Sequence, residues 1–96
     1  MENKMIQTLT QTSINFFSLK ESDYLEKVLQ NQTNYSIFCL FKSYDNEQLY
    51  NLTLQTLKNL GQPNLSEQNK TENENFLAIV LGAFEEKQKE EELELN

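Results

Sequence analysis

The sequence predicts a small α/β fold: one domain, with a short sheet and flanking helices. Three observations lead there. Tyr35 to Phe41 carries Tyr35, Ile37, Cys39 and Phe41 on one parity and Phe38 and Leu40 on the other, the pattern of a strand covered on both faces. Asn46 to Leu60 places Leu49, Leu52, Leu57 and Leu60 on one broad helical face. Phe76 to Leu81 is a second short, continuous apolar run. Strand, helix and strand in that order imply a right-handed parallel crossover.

Residues 1–20 read as an N-terminal peptide arm. Gln7 to Ser13 is polar and Thr-rich, with Leu9 its one large apolar residue, and Ile14-Asn15-Phe16-Phe17-Ser18-Leu19 forms an apolar patch beyond it. Ser18 to Glu21 spells S-x-x-E, a capping box in which each side chain satisfies the other residue's backbone N–H. A helix is expected to follow, with Tyr24, Leu25, Val28 and Leu29 as its stripe. Asn31-Gln32-Thr33-Asn34, four residues that favour turns, should end it.

The α/β domain spans residues 21–84. Asp45 to Gln48 is a second capping box, D-x-x-Q, opening the Leu-rich helix. Gly61 is expected at its C-terminus in the left-handed conformation, with Pro63 completing the stop. Gln62 to Asn75 is polar and reads as a linker or exposed loop. Phe76 to Leu81 admits two readings. As a helix, Phe76, Ile79, Val80, Ala83 and Phe84 fall at i, i+3, i+4, i+7 and i+8; as a strand, the run is short and Gly82 ends it, which favours the strand. The expected core holds Ile37, Cys39, Phe41, Leu49, Leu52, Leu57, Ile79 and Leu81. Residues 85–96 form an acidic helix or tail, with Glu85 through Glu94 exposed.

Composition removes several function classes. Ninety-six residues suit one domain. Fifteen acids against eight bases give a net charge of −7, which disfavours direct contact with nucleic acid or with an anionic membrane. No run approaches the roughly 20 apolar residues that span a bilayer, and no leader is visible, so a cytoplasmic address is expected. The chain has no histidine and one cysteine, which removes the commonest general base, any internal disulfide and any cysteine-rich zinc site. Cys39 lies in the expected buried strand with no imidazole to activate it. Two glycines cannot supply a phosphate-binding loop. Neither catalysis nor a cofactor, metal or small-molecule substrate is expected.

Protein binding is what these residues leave. Ile14, Phe16, Phe17 and Leu19 place four large apolar side chains within six residues, with Lys20 beside them. They serve either as core packed against the first helix or as an anchor segment that docks on a partner. The segment Ile14-Asn15-Phe16-Phe17-Ser18-Leu19-Lys20, preceded by a Gln-rich start, resembles the psi subunit of bacterial DNA polymerase III. The resemblance covers residues 5–82. It implies that the arm docks on the collar of the clamp loader, with Phe16 or Phe17 where the family prefers Trp and Lys20 in place of its first Arg. It also implies an α/β domain, beginning with Tyr35–Phe41 and the helix ending at Gly61, that binds a chi-like subunit. The function expected is a non-catalytic adaptor in DNA replication. The alternative is a small acidic inhibitor, of phage or mobile-element type, that blocks a nucleic-acid-binding protein by presenting carboxylates.

Overall fold

The computed structural model describes residues 2–95 as five helices: α1 Glu2–Ser18, α2 Tyr24–Val28, α3 Gln32–Phe41, α4 Asn46–Leu60 and α5 Glu67–Leu95. No strand occurs among the described residues. The predicted α/β fold is therefore replaced by an all-α one, and with it go the crossover and the strand–helix match implied by the psi resemblance.

Helix α5 organises the molecule. Its 29 residues rise about 1.5 Å each, a length of about 43 Å that fills most of the 46 Å long axis. Each of the other four helices packs against it. Leu77 to Phe84 are buried at every position, and a helix apolar on all sides is stable only when covered on all sides. This is why Phe76 to Leu81 misled as a strand: an all-round apolar helix shows no amphipathic period, so the run itself carries no helical signature. The helical evidence lies in its flanks. Ser66 Oγ accepts from the Asn69 N–H at 3.1 Å, starting the helix inside the stretch expected to be loop. Polar residues then carry it from Glu67 to Asn75, and residues 85–95 continue it beyond Gly82.

Tyr35–Phe41, expected as a strand, is most of α3. Asn31 is extended and its side chain accepts from the Asn34 N–H at 3.0 Å, so the Asn-rich cluster begins a helix rather than ending one. Asn34, Ile37, Phe38 and Phe41 then turn inward at i, i+3, i+4 and i+7. With apolar residues on both parities, the segment satisfied either period.

The arm is also helical. Ile6, Leu9, Ser13, Phe16 and Phe17 lie on the inner side of α1; packing of that face overrides the weak helix propensity of the Thr-rich stretch. Ser18 closes α1, donating to Asn15 O at 2.8 Å, and does not form the box with Glu21, which instead binds Lys27 at 3.0 Å. The helix expected after it shrinks to the five residues of α2, whose N-cap Asp23 makes no side-chain cap.

Helix α4 matches its expectation. Gln48 N–H donates to Asp45 Oδ1 at 2.8 Å and Asp45 N–H donates to Gln48 Oε1 at 3.0 Å, the reciprocal box read from the sequence. Gly61 does end the helix, but at φ −84°, right-handed; the left-handed residue of this turn is Asn64, at φ 64°. Gly61 N–H reaches Leu57 O at 3.0 Å, a close that needs no positive φ.

Of the expected core, Phe41, Leu49, Ile79 and Leu81 are buried. Ile37 and Leu52 are half-buried, Leu57 is 39% exposed, and Cys39 is on the surface, because helical spacing turns Cys39 away from Phe38 and Phe41. The interior also holds Ser13, Thr53 and Thr56. Thr53 and Thr56 donate to the carbonyls one turn back, Leu49 O at 2.8 Å and Leu52 O at 2.7 Å, while Ser13 donates to Glu85. Each hydroxyl thereby avoids the cost of an unpaired buried polar group.

Candidate protein-binding surface

Two places on the molecule bear on function: the corner where α1 meets α2, and the outward side of α3.

The corner contains the residues singled out from sequence, and it separates them. Phe16 and Phe17 pack edge to face at 5.1 Å between ring centroids, and Phe16 meets Tyr24 at 6.1 Å. Lys20 Nζ stands 5.4 Å from the Phe16 ring and 5.1 Å from the Tyr24 ring, and 2.8 Å from Glu74 Oε2. With the Lys20 and Glu74 side chains only 20% and 24% exposed, the ion pair is partly shielded from water and stronger than a surface pair. Tyr24 Oη donates to Asn75 Oδ1 at 2.7 Å. Burial raises the Tyr24 pKa above the usual phenol value; Lys20 opposes that rise and Glu74 adds to it. Phe16, Phe17 and Lys20 thus use their interaction capacity within the chain, fastening α1 and α2 to α5. Ile14 and Leu19 do not: they are 57% and 84% exposed.

The outward side of α3 was not foreseen. Tyr35 and Leu40 are each 53% exposed, and Ser36 and Cys39 between them are exposed as well. At i, i+1, i+4 and i+5 these residues share one helical face. The sequence of α3, QTNYSIFCLF, contains no Asp, Glu, Lys or Arg, although the chain carries a net charge of −7. Uncharged outward positions also occur on α1 and α4; on α3 they include a half-exposed Tyr and Leu together, and a strand reading sends Leu40 to the side opposite Tyr35 and Cys39.

The C-terminal end of α3 lies beside the acidic part of α5. Lys87 Nζ donates to the backbone carbonyl of Tyr44, and Lys42 Nζ lies 4.0 Å from Glu90 Oε1 while its ammonium stands 5.4 Å from the Phe38 ring. Beyond this contact Lys89 to Glu94 are all exposed, including Glu90, Glu91, Glu92 and Glu94. The last turn of α5 contains no basic residue. Carboxylates there face the negative end of the helix dipole, an unfavourable placement worth a few tenths to about 1 kcal/mol each. Glu85 and Glu86, nearer the core, are half-buried, contrary to the expectation of a fully exposed run, because α1 covers this part of the helix through Ser13.

A groove of about 280 Å³ runs between α3 and α5, lined by Asn34, Ile37, Glu72, Asn75, Phe76 and Ile79. Among the described residues no three Cys, Asp or Glu side chains gather as a metal site, and no helix is long and apolar enough to cross a membrane. Comparison with protein-family models, curated proteins and solved structures finds no match for the chain.

Proposed function

We propose that this protein is a non-catalytic protein-binding module whose contact surface is the outward side of α3. The observation that carries the reading is the cluster of Tyr35, Cys39 and Leu40 on a helix without charge. Half-exposed aromatic and aliphatic side chains on a rigid helix lose little freedom on binding, and aromatic residues dominate interface hot spots. A psi-like role, with clamp-loader and chi-like partners, has a narrower basis: of the five arm residues only Ile14 and Leu19 face solvent. The acidic-inhibitor reading draws on the exposed Glu90, Glu91, Glu92 and Glu94.

A photo-crosslinking amino acid at Ser36, within the face, tests the proposal in cells, with the same group at the exposed Gln55 of α4 as reference. A discrete adduct from position 36 that is absent from position 55 and lost on Leu40→Glu is expected. Identical adducts from both positions, or none from position 36, would count against it.

A further inference from the structure

We propose that α1 is a strap that opens as one unit, unfolding away from α4 and α5 while α2 to α5 keep their core. This motion is independent of the α3 surface proposed above. Three observations carry it. First, among the described residues Leu9 is the one buried hydrophobic residue that α1 contributes; the others, from Val28 to Phe84, belong to α2, α3, α4 and α5. Those helices each pack on α5 directly, so withdrawal of α1 leaves their shared core joined.

Second, α1 has little reason to stay helical once undocked. Thr8, Thr10, Thr12 and Ser13 fill its middle with residues of low helix propensity, and the stability of such a helix comes from its packed face. Undocking and unfolding are therefore one event. Third, both ends of the unit are marked. Ser18 closes α1, and Leu19, Glu21, Ser22 and Asp23 after it are exposed, a turn with room to pivot. The chain beyond is tied to α5 by Lys20 Nζ to Glu74 Oε2 at 2.8 Å and Tyr24 Oη to Asn75 Oδ1 at 2.7 Å. At the other end a cleft of about 440 Å³, lined by Lys4, Met5, Glu47, Tyr50 and Asn51, lies open between the start of α1 and the start of α4, so water already reaches that seam. Opening leaves Glu85 without the Ser13 hydroxyl and uncovers the parts of α4 and α5 beneath Leu9. A segment with few buried apolar contacts is where a protein opens below its global unfolding.

Amide hydrogen exchange of the full chain, read by NMR at rising urea below the unfolding transition, tests this where exchange follows the opening equilibrium. Amides from Leu9 to Phe17 should share one exchange rate, about a hundredfold or more above that of Leu77–Phe84. Their rate should also climb less steeply with urea, because opening the strap exposes less surface than global unfolding. Two substitutions then separate the events. Ile79, which lines the groove between α3 and α5, stays buried when the strap opens, so Ile79→Val weakens the closed and open states alike. It should speed exchange at Leu77–Phe84 about threefold or more and leave α1 unchanged; Phe38→Leu, also buried on α3, provides a second variant of the same kind. Leu9→Ala weakens only the closed state and should speed both segments by the same factor, about tenfold or more. Equal rates and urea slopes in α1 and α5, or an Ile79→Val that accelerates both, would make α1 part of the global unit and overturn the strap. Protection that rises steadily from Ile6 to Phe17, with no shared rate, would reduce the motion to end fraying and overturn it as well. Unprotected α1 amides would show that the strap is not closed and would also overturn it.

Discussion

Leu25 lies directly over Gly82: a methyl group added at Gly82 would stand 2.7 Å from Leu25 Cδ2 and 3.0 Å from its Cδ1. Here the one-turn helix α2 comes closest to the buried middle of α5, and the absence of a side chain allows it. Gly82 therefore marks a close approach of two helices inside a continuous one, at a position where the sequence suggested a strand end. Gly82→Val should destabilise the fold by about 1–3 kcal/mol through overpacking. Adding Leu25→Ala should recover part of the loss, a coupling that a double-mutant cycle in urea reads directly. Gly82→Ala should cost less, because Leu25 is half-buried and its end can turn aside while alanine gains about 1 kcal/mol of helix propensity. A fully additive cycle would show that α2 does not pack at this point.

The corner aromatics should be structural. Phe16→Ala and Phe17→Ala each remove a half-buried ring, so each should cost about 2 kcal/mol, below the 3–5 kcal/mol of a fully buried ring. Ile14→Ala and Leu19→Ala should stay within about 0.5 kcal/mol. Thermal melts of the four variants distinguish this from a docking arm, in which the Phe variants would melt like the parent.

Tyr24 gives a pH signature. Its pKa is raised in the folded state, first by burial, so the folded state favours the protonated hydroxyl that donates to Asn75. The resulting stabilisation is complete below the unfolded phenol value near pH 10 and is lost as pH rises through the folded value. Tyr24→Phe should cost about 0.5–1.5 kcal/mol at neutral pH through the lost hydrogen bond. It should also lessen the decline of stability on the alkaline side relative to the parent. Equal alkaline slopes in urea melts would refute this role for Tyr24.

The Asp45–Gln48 box is legible in the sequence because it depends on two local residues, and Asp45→Ala should cost about 1 kcal/mol as measured by denaturant unfolding. A parent-like midpoint would mean that the cap is not formed. The remainder was less legible for physical reasons. Tyr35–Phe41 has apolar side chains on both parities, so periods of 2 and 3.6 fit it equally, and the deciding contact, Asn31 to the Asn34 N–H, looks like turn chemistry in sequence. Leu77–Phe84 has no polar face because four helices cover it. In the arm, Leu9 and Ser13 were hidden among Thr and Gln, although Ile6, Leu9, Ser13, Phe16 and Phe17 do keep helical spacing. Of the five residues marked for docking, Ile14, Phe16, Phe17 and Leu19 are the apolar group and Lys20 stands beside them; which of them turn outward is decided only by that spacing. The α3 face was unreadable while Leu40 was placed opposite Tyr35.

The central claim is that residues 32–41 and 67–95 are both helical, since only a helix brings Tyr35, Cys39 and Leu40 to one face and only a continuous α5 gives the other helices a shared core. Backbone Cα and Cβ chemical shifts test this most directly. The account predicts helical shifts through Tyr35–Phe41 and without interruption from Phe76 through Glu86, with the slowest amide exchange at Leu77–Phe84. Extended-strand shifts at Tyr35–Phe41 or Phe76–Leu81, with cross-strand contacts between them, would restore the sheet and remove the binding face.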